Sequence, residues 1–371
     1  MKHQKDCCRV VHVGNQDERR IAAAERSVRK VAIMRFVRVL LKGLGALLAI
    51  GILAIVALNV YPLVRPAPKT VRKVVAIAIS PPYQIGLSFI DYLALGGSRL
   101  YAGYTSHGMV GVIDTATNRT IATVGGLGRV HGIALVPEGK LGFASSSGDN
   151  NVNVFDLVDN KLLKKIPAGD GPDAILYDAK LHLIYVSNHA GKTGTLIDPA
   201  TQAVVAAIEL GGEPEYAQAD PETGLIYQNL EDTSELVVLD LQKRAVIKRY
   251  PLAPGKGPTG LAIDVANHRL FSTCSGKLIV LNANTGTIIA VVPIGAGTDG
   301  ADYDAGLRRV YTANGMGSMT VIQQDSADRY RVLEDAPTRF GGHSLVVDPA
   351  THRIFIAYFG SVAVYEPIST P

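Results

Sequence analysis

The sequence contains no tryptophan and only three cysteines, and just 19% of its 371 residues are charged. Three cysteines cannot build a disulfide framework. So few charges beside 47% apolar residues exclude disorder as the main state. The short motifs that announce common chemistries are also missing: there is no Walker loop, His-Glu-x-x-His, Cys-x-x-Cys, Cys-x-x-Cys-His or Gly-x-Ser-x-Gly. Gly126-Leu-Gly128-Arg-Val-His-Gly132 has the look of a dinucleotide loop, but it falls between two strand patterns with no helix to receive a phosphate.

Long apolar runs are scarce too, with one exception. The 22 residues from Gly43 to Val64 carry no charge. As a helix they span about 33 Å, enough to cross a bilayer's apolar layer. Arg35, Arg38 and Lys42 precede the run, which predicts a signal anchor with residues 1–42 in the cytoplasm and everything after Arg65 outside, as in a single-pass inner-membrane protein with a periplasmic body. A cleaved signal peptide is the competing reading, but Ala57-Leu-Asn-Val-Tyr-Pro62 lacks the small-x-small site it needs. Met34 opens a conventional leader, so residues 1–33 read either as a start-site extension or as a basic cytoplasmic segment. Cys7 and Cys8 fall there as reduced thiols, while Cys274 reads as a small buried apolar residue. Residues 65–70 read as a stiff linker.

The net charge of +4 is unevenly placed: residues 1–42 hold eleven basic and four acidic residues, +7, which leaves −3 for the rest. A mildly acidic body argues against phosphate neutralisation, so no nucleic-acid partner is expected.

Beyond residue 70 a pattern of four short strands recurs. It opens on a polar residue at Asp91, His131, Asp173, Glu215, Thr259, Asp299 and His343, at spacings of 40, 42, 42, 44, 40 and 44. An aromatic keeps step at Tyr101, Phe143, Tyr185, Tyr227, Phe271, Tyr311 and Phe355. The third strand ends in a polar residue at Asp114, Asp156, Asp198, Asp240, Asn282, Gln323 and Glu366. Four strands per 40–45 residues make one propeller blade. The expected fold is therefore all-β: a seven-bladed propeller over 71–371, with strand 71–79 supplying the fourth strand that the last repeat lacks and removing an exposed edge.

The strand signatures Tyr185-Val-Ser-Asn188 and Tyr311-Thr-Ala-Asn314, with Gly171-Pro172, Gly257-Pro258 and Asp198-Pro-Ala-Thr201, resemble the YVTN-type repeats of extracytoplasmic propellers. The resemblance extends more loosely to the propellers of nitrous oxide reductase and quinoprotein-like proteins. The absence of tryptophan sets the chain apart from WD40 repeats. The resemblance implies a fold, not an activity.

In such a ring the polar column faces the central funnel, and closure makes His343, Asp91 and His131 neighbours, with Asp173 and Glu215 continuing the arc. His107 and His189 lie in loops near the same face, with Asn188, Asn229 and Asn314. Imidazoles and carboxylates together suit Zn²⁺, Mn²⁺, Fe²⁺ or Ca²⁺, which makes His343, Asp91 and His131 the candidate ligands of a divalent ion. The plainer use of the same column is a solvated funnel whose side chains hold backbone groups and channel water. Asp178, Asp220, Asp264, Asp304 and Asp348 form a second column that supports turns on the opposite face. Asp302 stands where other repeats carry apolar residues, which makes it a minor candidate for the funnel.

These features point first to a membrane-anchored binding module that takes a protein or small molecule at the funnel face. The alternative is a metal-dependent enzyme of lactonase or lyase type, with His131 or His343 as general base. An electron-transfer or quinone-linked role is the third reading, and the lack of haem motifs weighs against it.

Overall fold

The computed structural model describes residues 66–78 and 89–368. They form seven antiparallel sheets of four strands each. Blade one, for example, runs outward through Ile90–Gly96, Arg99–Tyr104, Met109–Asp114 and Arg119–Val124. The second and third strands are buried on both faces, and the fourth is largely exposed. That gradient is why the repeats read as apolar, β-branched runs rather than as alternating strands.

The core lies between blades. One cluster joins Phe143, Val152 and Val154 of blade two to Ile184, Val186 and Ile197 of blade three. Another joins Leu100, Ala102 and Tyr104 of blade one to Phe355, Ala357 and Val362 of blade seven. Every residue of the aromatic column is buried in these interfaces.

Val71–Ala78 pairs antiparallel with Ser361–Pro367 and is the outermost strand of the last blade. The Glu334 carboxylate of blade six fixes the approach to this strand, accepting from the Lys69 and Thr70 backbone N–H groups at 2.9 and 2.8 Å and from the Thr70 hydroxyl at 2.7 Å. Blade six departs from the repeat, because its two outer strands, Ser318–Ser326 and Arg329–Pro337, reach nine residues each.

The aspartates that end third strands hold tight turns: the Oδ1 atoms of Asp156, Asp198 and Asp240 each accept from the backbone N–H groups two and three residues on. The second aspartate column does the same in the first hairpin, as at Asp178, whose Oδ1 accepts from the N–H groups of Lys180 and Leu181.

Asp302 does not belong to the funnel. Its two carboxylate oxygens accept from the backbone N–H groups of Tyr303 and, in the next blade, Val347, both at 2.8 Å. Its burial between the inner strands of blades six and seven pushes the carboxyl up to about 6, against those two bonds.

Among the described residues no helix is long and apolar enough to cross a membrane. The expected anchor at 43–64, the basic segment before it, and Cys7 and Cys8 lie outside the described residues.

Candidate functional site

Each ring residue of blades one to four and six stands where the innermost strand slips register against its neighbour. The pairing gains one residue between Ile90 and Leu93, Val130 and Ile133, Pro172 and Ile175, Pro214 and Ala217, and Thr298 and Gly300. A bulge breaks the alternation of a strand and re-aims the side chain it carries. In this way Asp91, His131, Asp173, Glu215 and Asp299 reach the funnel instead of a blade face. Thr259 and His343 stand two residues ahead of their strands, Leu261–Asp264 and Leu345–Val347. All seven line one cavity of about 430 Å³, together with Tyr92, Ser147, His189 and Glu231.

Buried polar residues of the second strands hold the ring backbone in place across blade boundaries. The Thr105 hydroxyl donates to the Val130 carbonyl at 2.9 Å, the Ser145 hydroxyl to the Asp173 carbonyl, and the Asn229 amide to the Thr259 carbonyl at 2.9 Å. Asn188 and Asn314 are likewise buried, bonded within their own blades to Thr193 and Thr195, and to Ser318 and Thr320.

Within the cavity, acids and imidazoles alternate. Asp299 meets His343 Nδ1; His343 Nε2 lies 2.9 Å from Asp91 Oδ1; Asp91 Oδ2 meets His131 Nδ1; and the same Nδ1 lies 3.2 Å from Asp173 Oδ1. On the far side of Asp173, His189 Nδ1 lies 3.2 Å from Glu215 Oε1. His131 Nε2 points the other way, 2.7 Å from Ser147 Oγ.

The charges follow from this geometry. Burial would raise the Asp91 carboxyl, but the bonds and charges of His131 and His343 outweigh it and hold Asp91 well below the usual carboxylate range. Asp173 is pushed the other way, up to about 8, by burial and by ionised Asp91 beside it. Its bond to Glu215 raises His189 to about 9 against the cost of burial. Burial opposes the protonation of His343 and His131, yet the surrounding carboxylates raise both above an ordinary imidazole.

His343, Asp91 and His131 are brought together, but as a hydrogen-bonded chain in which each imidazole faces a different oxygen of Asp91. The groups whose ligand atoms all lie within 4.8 Å of one another are Asp91–His131–Asp173, Asp173–His189–Glu215 and His189–Glu213–Glu231. They form a ladder linked through Asp173 and His189, and His343 is in none of them. His107 is not among the cavity residues; its ring packs edge-on against Tyr104, with centroids 6.0 Å apart.

Sequence reasoning passed over Tyr92 and Tyr216. Their rings come from blades one and four, which are not neighbours, and meet across the channel with centroids 5.2 Å apart. The Tyr92 hydroxyl donates to Asp173 Oδ2 at 3.3 Å. The signal was present one residue past the polar column, where the other five repeats carry Gly132, Ala174, Gly260, Gly300 and Ser344. Ser147 and Glu231 were also passed over, because nothing in a turn sequence announces the direction of its side chains.

No protein-family model matches the sequence, and no curated protein matches it. Among solved structures the chain is similar to a chain of Kuenenia stuttgartiensis hydrazine synthase, with a TM-score of 0.70 and 15% identity, over 78% of this chain and 99% of that one. At that identity the likeness shows the propeller fold alone.

Proposed function

We propose that this propeller is a binding module that takes a small cation into its funnel, with Asp173, His189 and Glu215 as the central contacts. One observation carries the reading: five carboxylates (Asp91, Asp173, Glu215, Glu231 and Asp299) face three imidazoles in one cavity. Even with every imidazole protonated the site keeps an excess of negative charge, which a bound cation offsets. Asp173, His189 and Glu215 supply mixed nitrogen and oxygen donors of the kind Zn²⁺ or Mn²⁺ takes, and Ca²⁺ would add further oxygens. Calorimetric titration of the chelator-treated chain with Zn²⁺, Mn²⁺, Ca²⁺ and methylammonium tests this. Saturable one-site binding of one of them, weakened at least about tenfold in Glu215→Gln, is expected. No saturable heat with any of the four overturns the reading.

The repeats are proposed to be of YVTN type, on the signatures at 185–188 and 311–314, and the body to be extracytoplasmic behind the anchor at 43–64. A reporter enzyme fused after Pro371 and active only outside the cytoplasm checks the orientation.

A second reading, metal-assisted hydrolysis or elimination, is favoured by the room beside the triad. Three protein ligands leave coordination positions for a substrate, and the cavity of about 430 Å³ has space for one. Turnover of a lactone that chelator abolishes and added metal restores would establish it.

A further inference from the structure

Ser147 occupies the turn after the second strand of blade two, Leu141–Ser146, and its side chain faces the cavity. Its hydroxyl lies 2.7 Å from His131 Nε2. The other ring nitrogen, Nδ1, is held by Asp91 Oδ2 and lies 3.2 Å from Asp173 Oδ1. Asp91 is 8% exposed and is fixed in turn, since its second oxygen meets His343 Nε2 at 2.9 Å and His343 Nδ1 meets Asp299. A hydroxyl on one imidazole nitrogen, a buried carboxylate on the other, and a cavity in front of the hydroxyl are the geometric marks of an activated serine. Such a set is recognised by roles and distances, not by chain order or by a Gly-x-Ser-x-Gly motif.

We propose that Ser147 is a nucleophile for acyl transfer, with His131 as its general base, Asp91 as a positioning residue, and uncharged or cationic esters and lactones as the substrate class. Ser147 Oγ bonds to the acyl carbon as its proton passes to His131 Nε2. The carbon–oxygen bond to the leaving alcohol then breaks, and that oxygen takes the proton back from Nε2. Water then bonds to the acyl carbon as its proton passes to the same nitrogen; the bond from that carbon to Ser147 Oγ breaks, and Oγ takes the proton back from Nε2 as the acid leaves. The proton balance closes on His131, and no oxidant or metal is needed. The excess of carboxylates in the cavity sets the charge preference, since an anionic acyl group would face Asp173, Glu215 and Asp299. His131 Nδ1 lies 3.2 Å from Asp173, one of the proposed cation contacts, but the nucleophile and base are not themselves among those contacts and the test is run without metal, so either reading can fail without the other.

The test is reaction of the purified full chain with a fluorophosphonate probe in the presence of EDTA, with the modified peptide located by mass spectrometry. A phosphonyl adduct on Ser147, absent from Ser147→Ala, is expected. His131→Gln should form it at least about a hundredfold more slowly. Asp91→Asn should lower the maximal rate of adduct formation while leaving the half-saturating probe concentration unchanged, which a general loss of structure would not do. Absence of the adduct from the native chain overturns the proposal. So does adduct formation at the same rate in His131→Gln or in the heat-unfolded chain; the last comparison needs no variant to fold.

Discussion

At the scale of single residues, the funnel is a place where burial and charge oppose each other. The ring residues were legible as a column, because a polar residue recurring ahead of seven apolar strands has to face something other than the core. Their ionisation was not legible, since it depends on which acid meets which imidazole. His189 shows the difference: in sequence it is one more loop histidine, and in the fold its Nδ1 lies 3.2 Å from Glu215. A histidine raised from 6.5 to about 9 contributes stability that is whole below about 6.5 and is lost as pH climbs through about 9. Asp173 acts in the same direction, because the fold favours its neutral form: that contribution is whole below 3.8 and is lost as pH rises through about 8. The metal-free chain should therefore melt at progressively lower temperature between pH 6.5 and pH 9. By NMR, the His189 ring should titrate near 9 in the native chain and move back toward 6.5 in Glu215→Gln. An unchanged midpoint in the variant would refute Glu215 as the cause.

At the scale of elements, the inner strands do two jobs that conflict: they pair within a blade and also present a side chain to the axis. The one-residue slips at the ring positions resolve this, and glycines after the ring residue, at Gly132 and Gly300, allow neighbouring blades to approach. A Cβ on Gly132 would lie 2.8 Å from the Asp173 carbonyl oxygen and 2.8 Å from Ile175 Cγ2. Gly132→Ala should therefore cost about 1–3 kcal/mol by overpacking. Gly125→Ala, whose Cβ meets nothing within 4 Å, should leave the melting temperature nearly unchanged. Comparable melting of both variants would show that the inner strands tolerate separation. Truncating a member of the aromatic column acts through a cavity instead: Phe143→Ala should destabilise by about 3–5 kcal/mol in denaturant titration.

At the scale of the whole molecule, closure is the deciding event. Val71 is fully buried in the interface between blades six and seven, and its strand covers the edge of Ser361–Pro367. A chain beginning after Ala78 leaves that edge open, and such edges pair with other chains. It should elute as aggregate in size-exclusion chromatography, and a monomeric, cooperatively melting product would show that closure is dispensable. By itself the sequence determined the period, the blade count, the buried aromatic column and the identity of the seven ring residues. These follow from local periodicity, which every repeat restates. Only the tertiary structure decided that Asp91 is shared between two imidazoles, that Asp173 and not His343 joins the close-set clusters of imidazole and carboxylate atoms, that Tyr92 and Tyr216 meet across the channel, and that Ser147 faces His131. Asp91 and His343, 252 positions apart, become neighbours there. Such contacts depend on which way each strand bulge and turn aims its side chain, and that leaves no periodic mark in the chain.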